Sequence, residues 1–234
     1  MLIRVMWVVG MLALLPCATH AQTAPSTQIV ELFTSQGCSD CPPADALLGE
    51  LARSPGVVAL AYHVTYWDAL GWHDHFELPQ ADARQQSYVA QLHLTSAFTP
   101  QAVVNGRVSL IGSNRQAIGE ALQGAGATIP IRLGVTNGQV LIDLAAHSLP
   151  APVNVILVGY LPQATTAVGA GENRGRELVE FNIVRAYRVL GAWRGDARRL
   201  LFNLASLPPD ASRIAVLLQQ PQGMISGAAT LAVR

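Results

Sequence analysis

The chain has 234 residues, half of them hydrophobic, enough to bury at least one sizeable core. Fifteen cationic and fifteen acidic side chains cancel, and no basic block appears, so nucleic-acid binding has no electrostatic footprint here. Every cation is an arginine, which excludes lysine chemistry such as Schiff-base formation.

The chain opens "MLIRVMWVVGMLALLPCATHAQT". Arg4 gives a positive start, Val5 to Leu15 is an apolar run, Pro16 breaks it, and small residues precede Gln22. This is the layout of a secretory signal peptide over residues 1–21. The run is short of the roughly 20 residues of a membrane span, so no stable span is expected after cleavage. Cleavage after Ala21 removes Cys17 and leaves Cys38 and Cys41 alone in a periplasmic or secreted protein. In such an oxidising compartment a lone pair forms a disulfide unless it is actively reduced.

Gln28 to Thr34 reads as a strand, Ala44 to Arg53 as a helix, and Val57 to Val64 as a buried parallel strand. An aromatic loop, "TYWDALGWHDHFELPQ", precedes a helix over Ala81 to Leu94. Ala102 to Val104 and Val108 to Ile111 are short strands joined by Asn105-Gly106, a strong hairpin signal. Ser113 or Asn114 caps a following helix. The order over residues 28 to about 125 is therefore β-α-β-α-β-β-α. Beyond "GAGATIP" short strands dominate, about seven of them, as in a β-sandwich. The expected domains are residues 22–127 and 128–234.

The chemistry concentrates in "FTSQGCSDCPPADALL", residues 33–48. Cys38 and Cys41 stand between a strand and a helix, with Pro42 and Pro43 directly after them. A disulfide closing so small a loop restrains the unfolded chain least, so a structural staple is poorly placed here. A redox pair or a metal clip remains. Pro42 suits the first helical position, with Ser39 or Asp40 as cap. The partial positive charge of the helix start favours a cysteine thiolate, and the Asp40 carboxylate opposes it.

This order of elements around Cys-x-x-Cys, followed by "TPQAVVNG", resembles the thioredoxin pattern. More closely, "VELFTSQGCSDCPPAD", "YHVTYWDALGWHD", "TPQAVVNG" and "GENRGRELVEFNIVR" resemble a bacterial family of secreted thioredoxin-like proteins catalogued only as a domain of unknown function. The resemblance implies an α/β thioredoxin-like domain followed by an all-β sandwich-like C-terminal domain. It departs from ordinary thioredoxin between the cysteines, where Ser39 and Asp40 replace a glycine and a proline.

The resemblance also implies roles. Cys38 is the more exposed nucleophile and Cys41 the resolving thiol. Pro100 is a cis-proline beside them, and Thr99 precedes it at the substrate side. Glu31 occupies the place of a buried acid that accepts a proton from Cys41; otherwise it is an ordinary strand residue facing solvent or an arginine. Trp67 and Trp72 either wall a peptide site or lid the sheet. Arg174, in "GENRG", either pairs an acid over the cysteines or sits in solvent.

The expected function is thiol–disulfide exchange with a protein substrate and a redox partner in the cell envelope. No cofactor is implied beyond the Cys38–Cys41 disulfide. The alternatives are a soft metal site for copper or zinc, built from Cys38, Cys41 and His63, or a partner-binding module.

Overall fold

The computed structural model describes residues 26–234. The leader expected over residues 1–21, with Cys17 and the cleavage position, lies outside the described residues. The first half forms β1 (Gln28–Thr34), α1 (Pro42–Leu51), β2 (Val57–His63), α2 (Pro79–Gln91), β3 (Gln101–Val104), β4 (Val108–Ile111) and α3 (Arg115–Ala121). The second half is β5 (Arg132–Thr136), β6 (Gln139–Leu144), β7 (Val153–Ala167), β8 (Glu177–Trp193), β9 (Arg198–Asn203), β10 (Arg213–Gln219) and β11 (Ile225–Ala232).

Local signals explain most of these elements. β1 and β2 pair in parallel across α1. Asn105 and Gly106 both take positive φ, 53° and 64°, which matches the right-handed twist of the β3–β4 hairpin. Asn114 caps α3 by accepting from the Ala117 amide at 3.0 Å. Pro42 opens α1, but the cap position belongs to Cys41 rather than to Ser39 or Asp40.

The expected architecture is corrected. An α/β thioredoxin-like domain followed by a separate sandwich does not describe the chain, which is mostly β. One eight-stranded mixed sheet, in the order β11-β10-β7-β8-β2-β1-β3-β4, takes strands from both sides of residue 127. β5, β6 and β9 form a second, three-stranded sheet. The reason lies at β2. Its residues are buried on both faces, and the edge away from β1 needs a partner. β8 supplies one, running parallel with Ile183 opposite Ala61. The long β7–β8 hairpin then carries β10 and β11 into the same sheet.

The pleat divides the core. Val30 and Leu32 of β1 pack with Ala59 and Ala61 of β2 under α1 and α3. Ile29 and Phe33 face the other way, with Leu60, Tyr62 and Tyr88. A third cluster fills the space between the two sheets, joining Val140 and Ile142 to Val155, Leu157, Trp193 and Val216. Among the described residues no helix is long and apolar enough to cross a membrane.

Candidate functional site

Cys38 and Cys41 form a disulfide at the start of α1. The turn that delivers them is short. The Cys38 amide donates to the Ser35 carbonyl at 3.2 Å, and the Cys41 amide to the Cys38 carbonyl at 3.2 Å. Gly37 lets the turn lie against Trp67, since a Cβ there would stand 3.1 Å from the Trp67 Cβ. Ser39 and Asp40 are exposed, but the cysteines are not: Cys38 is 1% and Cys41 0% accessible. Cys38 is thus the less buried of the two only marginally, and both sulfurs are covered.

The cover comes from the loop between β7 and β8. Asn173 is fully buried, and its side-chain amide donates to the Gln36 and Cys38 carbonyls at 2.9 Å each. Glu172 accepts from the Ser39 amide at 3.3 Å. "GENRG" thus docks on the cysteine turn through Asn173 and Glu172, not through Arg174. Trp72 supports this loop: a Cβ on Gly171 would lie 3.1 Å from the Trp72 Cβ.

On the other side of the turn runs a groove of about 410 Å³, lined by Ser39, Asp40, Pro43, Phe98, Pro100 and Ile111, with Thr99 beside them. The Thr99–Pro100 peptide is cis. Trp67 donates its indole N–H to the Thr99 hydroxyl at 2.7 Å, which fixes this segment to the aromatic loop. Phe98 and Ile111 offer exposed apolar surface at the rim.

Beneath the cysteines lies a buried polar network that the sequence reading missed. Gln36 is its hub. Its amide N–H donates to Asp74 at 2.8 Å, and its side chain donates to Thr166 and Glu180 at 3.0 Å each. Its side-chain oxygen accepts from Trp72 at 3.0 Å. His63 holds Asp74 at 2.8 Å through Nδ1 and faces Glu180 at 3.7 Å through Nε2. Thr34 donates to Asp45 at 2.8 Å. A charge inside the apolar "LVEFN" run was the available signal for Glu180.

The electrostatics follow from burial. Desolvation pulls the His63 pKa down, but Asp74, Glu180 and Asp45 outweigh it and raise it to about 9. Desolvation pushes Asp45 up to about 7 against the opposing pull of His63 and Thr34. Glu180 is also raised, mainly by burial. Asp74 is held below its usual range: burial raises it, and His63 with two backbone amides more than compensates.

Two other expected residues stand elsewhere. Glu31 is buried, but on the face of β1 turned away from α1, in line with Ile29 and Phe33. There Arg84 grips it at 2.5 and 2.8 Å and Tyr88 donates to it. Nor does His63 meet the cysteine sulfurs in a metal-binding cluster. Among the described residues the group of three ligand-type side chains whose atoms all lie within 4.8 Å of one another is Asp68, His73 and Glu77, on the outer loop.

A family described as "Protein of unknown function (DUF1223)" matches residues 29–219. The chain belongs to the DUF1223 family. The match covers β1 through β10 and so includes the cysteine turn, the Thr99–Pro100 segment and the covering loop. Protein AGR_C_4864 from Agrobacterium tumefaciens is a solved structure similar to this chain. The two share 29% identity over 90% of this chain and 96% of that one, with a TM-score of 0.78. HBP35 of Porphyromonas gingivalis is similar in fold, with a TM-score of 0.58 at 14% identity over 89% of this chain and 76% of that one. No curated protein matches.

Proposed function

We propose that this protein is an exported thiol–disulfide oxidoreductase that acts on protein thiols and disulfides through Cys38 and Cys41. The observation that carries the reading is the disulfide at the start of α1, beside a groove with an apolar rim that ends at Pro100. A substrate thiolate attacks Cys38 Sγ, the Cys38–Cys41 bond breaks, and Cys41 leaves as a thiolate that takes up a proton. A second substrate thiolate attacks the mixed disulfide and releases Cys38. The substrate gains a disulfide, and the protein gains two electrons and two protons. The reverse sequence reduces a substrate, and a redox partner in the envelope resets the pair. The chemistry is that of thioredoxin-superfamily dithiols, carried here on a different sheet arrangement.

The leader expected over residues 1–21 from the sequence supports a periplasmic or secreted location. The groove suits an extended peptide, with Phe98 and Ile111 as apolar contacts and Thr99 and Pro100 along its wall.

The test is the reduction potential of the purified protein, equilibrated in glutathione buffers with chelator present. A value between about −120 and −270 mV is expected, the range of working oxidoreductases. A value well below about −300 mV marks an inert structural bridge and sinks the reading. Cys41→Ser is then expected to accumulate mixed disulfides at Cys38.

A further inference from the structure

Resting on the exchange reading, we propose that Asp45 is the group that takes the proton from the Cys41 thiol when it attacks and returns it when Cys41 leaves. Asp45 follows Cys41 by four residues, and its amide donates to the Cys41 carbonyl at 3.1 Å. Cys41 has helical dihedrals, φ −78° and ψ −36°. Side chains at this spacing stand one above the other on a helix, with Cβ atoms about 5–6 Å apart.

Asp45 is unusual for its position. It is 6% accessible on a helix face that otherwise packs Ala44, Leu47 and Leu48 against the sheet. A carboxylate is costly there unless it is paired, and among the described residues Asp45 forms no ion pair of its own. Its fixed partner is the Thr34 hydroxyl, which donates to one oxygen at 2.8 Å. It also lines a cavity of about 250 Å³ with Pro42, Ala46, Glu177, Leu178, Val179 and Phe181. That cavity gives the carboxyl a route for exchanging its proton with solvent.

The groups facing Asp45 tune it. His63 on β2 presents a positive charge, whereas Glu180 on β8 and Asp74 on the aromatic loop present negative ones. Burial holds the Asp45 carboxyl at a pKa of about 7, where it both accepts and donates near neutral pH. Glu31 cannot serve, because it lies across the sheet and is bound on both oxygens by Arg84.

The step balances. Cys41–SH passes its proton to Asp45 and becomes a thiolate. The thiolate attacks Cys38 in the mixed disulfide, the Cys38–Cys41 bond forms, and the substrate sulfur departs as a thiolate. Asp45 then gives its proton to solvent or to the departing thiolate.

The experiment mixes the reduced full chain with an aromatic disulfide that releases a coloured thiolate. The first release reports attack by Cys38 and the second reports resolution by Cys41. Asp45→Asn is expected to slow the second phase relative to the first on the order of 100-fold at neutral pH, and to move the rise of the second phase with pH upward, to where the Cys41 thiol ionises unaided. Thr34→Val, which strips a hydrogen bond from the carboxylate, is expected to move that rise to higher pH. It keeps the test decisive should Asp45→Asn fail to fold, since a merely structural role for Asp45 would not move the profile. A reactive pair whose second phase ignores both substitutions overturns this proposal and leaves the exchange reading standing. Cysteines that react in no variant overturn both.

Discussion

The Asn173 side-chain amide donates to the Cys38 carbonyl across 135 residues of chain. The same nitrogen donates to the Gln36 carbonyl, so one buried amide ties the β7–β8 loop to both ends of the Gln36–Cys38 turn. Through this loop the second half reaches the backbone of the cysteine turn. The loop also explains how a cysteine beside the exposed Ser39 and Asp40 stays covered.

That tie is expected to limit access to Cys38. Each hydrogen bond contributes about 1 kcal/mol net. Asn173→Ala therefore frees the loop and is expected to speed reduction of the disulfide by dithiothreitol roughly tenfold or more, since about 1.4 kcal/mol is a factor of ten. A stopped-flow reduction time course checks this, and an unchanged rate would show that the loop does not restrict access.

Glu31 and Arg84 form a buried ion pair whose expected role is in stability. Arg84→Met leaves a carboxylate buried without its cation, which is expected to cost about 3–5 kcal/mol in a urea melt. Combining it with Glu31→Leu is expected to restore much of the loss, because both charges then vanish together. The reduction potential should be the same in the double variant, since the pair joins β1 to α2 on one face of the sheet and the cysteines sit at α1 on the other. A shifted potential would return Glu31 to the redox chemistry.

His63 makes stability depend on pH in a defined direction. Its folded pKa, about 9, lies above the ordinary value of 6.5. The stabilisation is complete below pH 6.5 and is lost as pH rises through about 9. Asp45 adds to the same trend, since its raised value favours the folded state below pH 3.8 and ceases to do so above about 7. Urea midpoints are expected to fall from pH 6.5 to pH 9, with a shallower fall in His63→Gln. Midpoints that rise over this range contradict the assignment.

The β3–β4 hairpin joins the second half at Gly106. A Cβ there would lie 2.0 Å from the Gly223 carbonyl oxygen, and φ is +64°. Gly106→Ala is expected to destabilise by more than about 1 kcal/mol, through both strain and contact. Thermal unfolding reports it, and a midpoint equal to that of the wild type would mean that the Gly223 turn yields freely.

The rim of the groove separates protein substrates from small ones. Ile111→Glu places a charge beside Phe98. It is expected to raise KM for a reduced, unfolded protein substrate severalfold while leaving oxidation of dithiothreitol unchanged. Equal losses on both would place the effect in the dithiol itself.

Local order was legible along the chain. Periodicity and turn residues gave β1, α1, β2 and the Asn105-Gly106 hairpin, because alternation and helical spacing are properties of neighbouring residues. Pro42 at the start of α1, the close cysteine spacing and Thr99–Pro100 could be read for the same reason. What the residues alone could not specify was pairing at long range. β8 beside β2, Asn173 over Cys38 and Arg84 on Glu31 join segments 53 to 135 residues apart. No local pattern selects such partners. They are chosen when an open strand edge, a buried carbonyl or a buried charge must be satisfied once the core has closed. The pleat of β1 made the last decision, turning Glu31 away from α1 while Asp45, on the helix itself, stayed on the cysteine side.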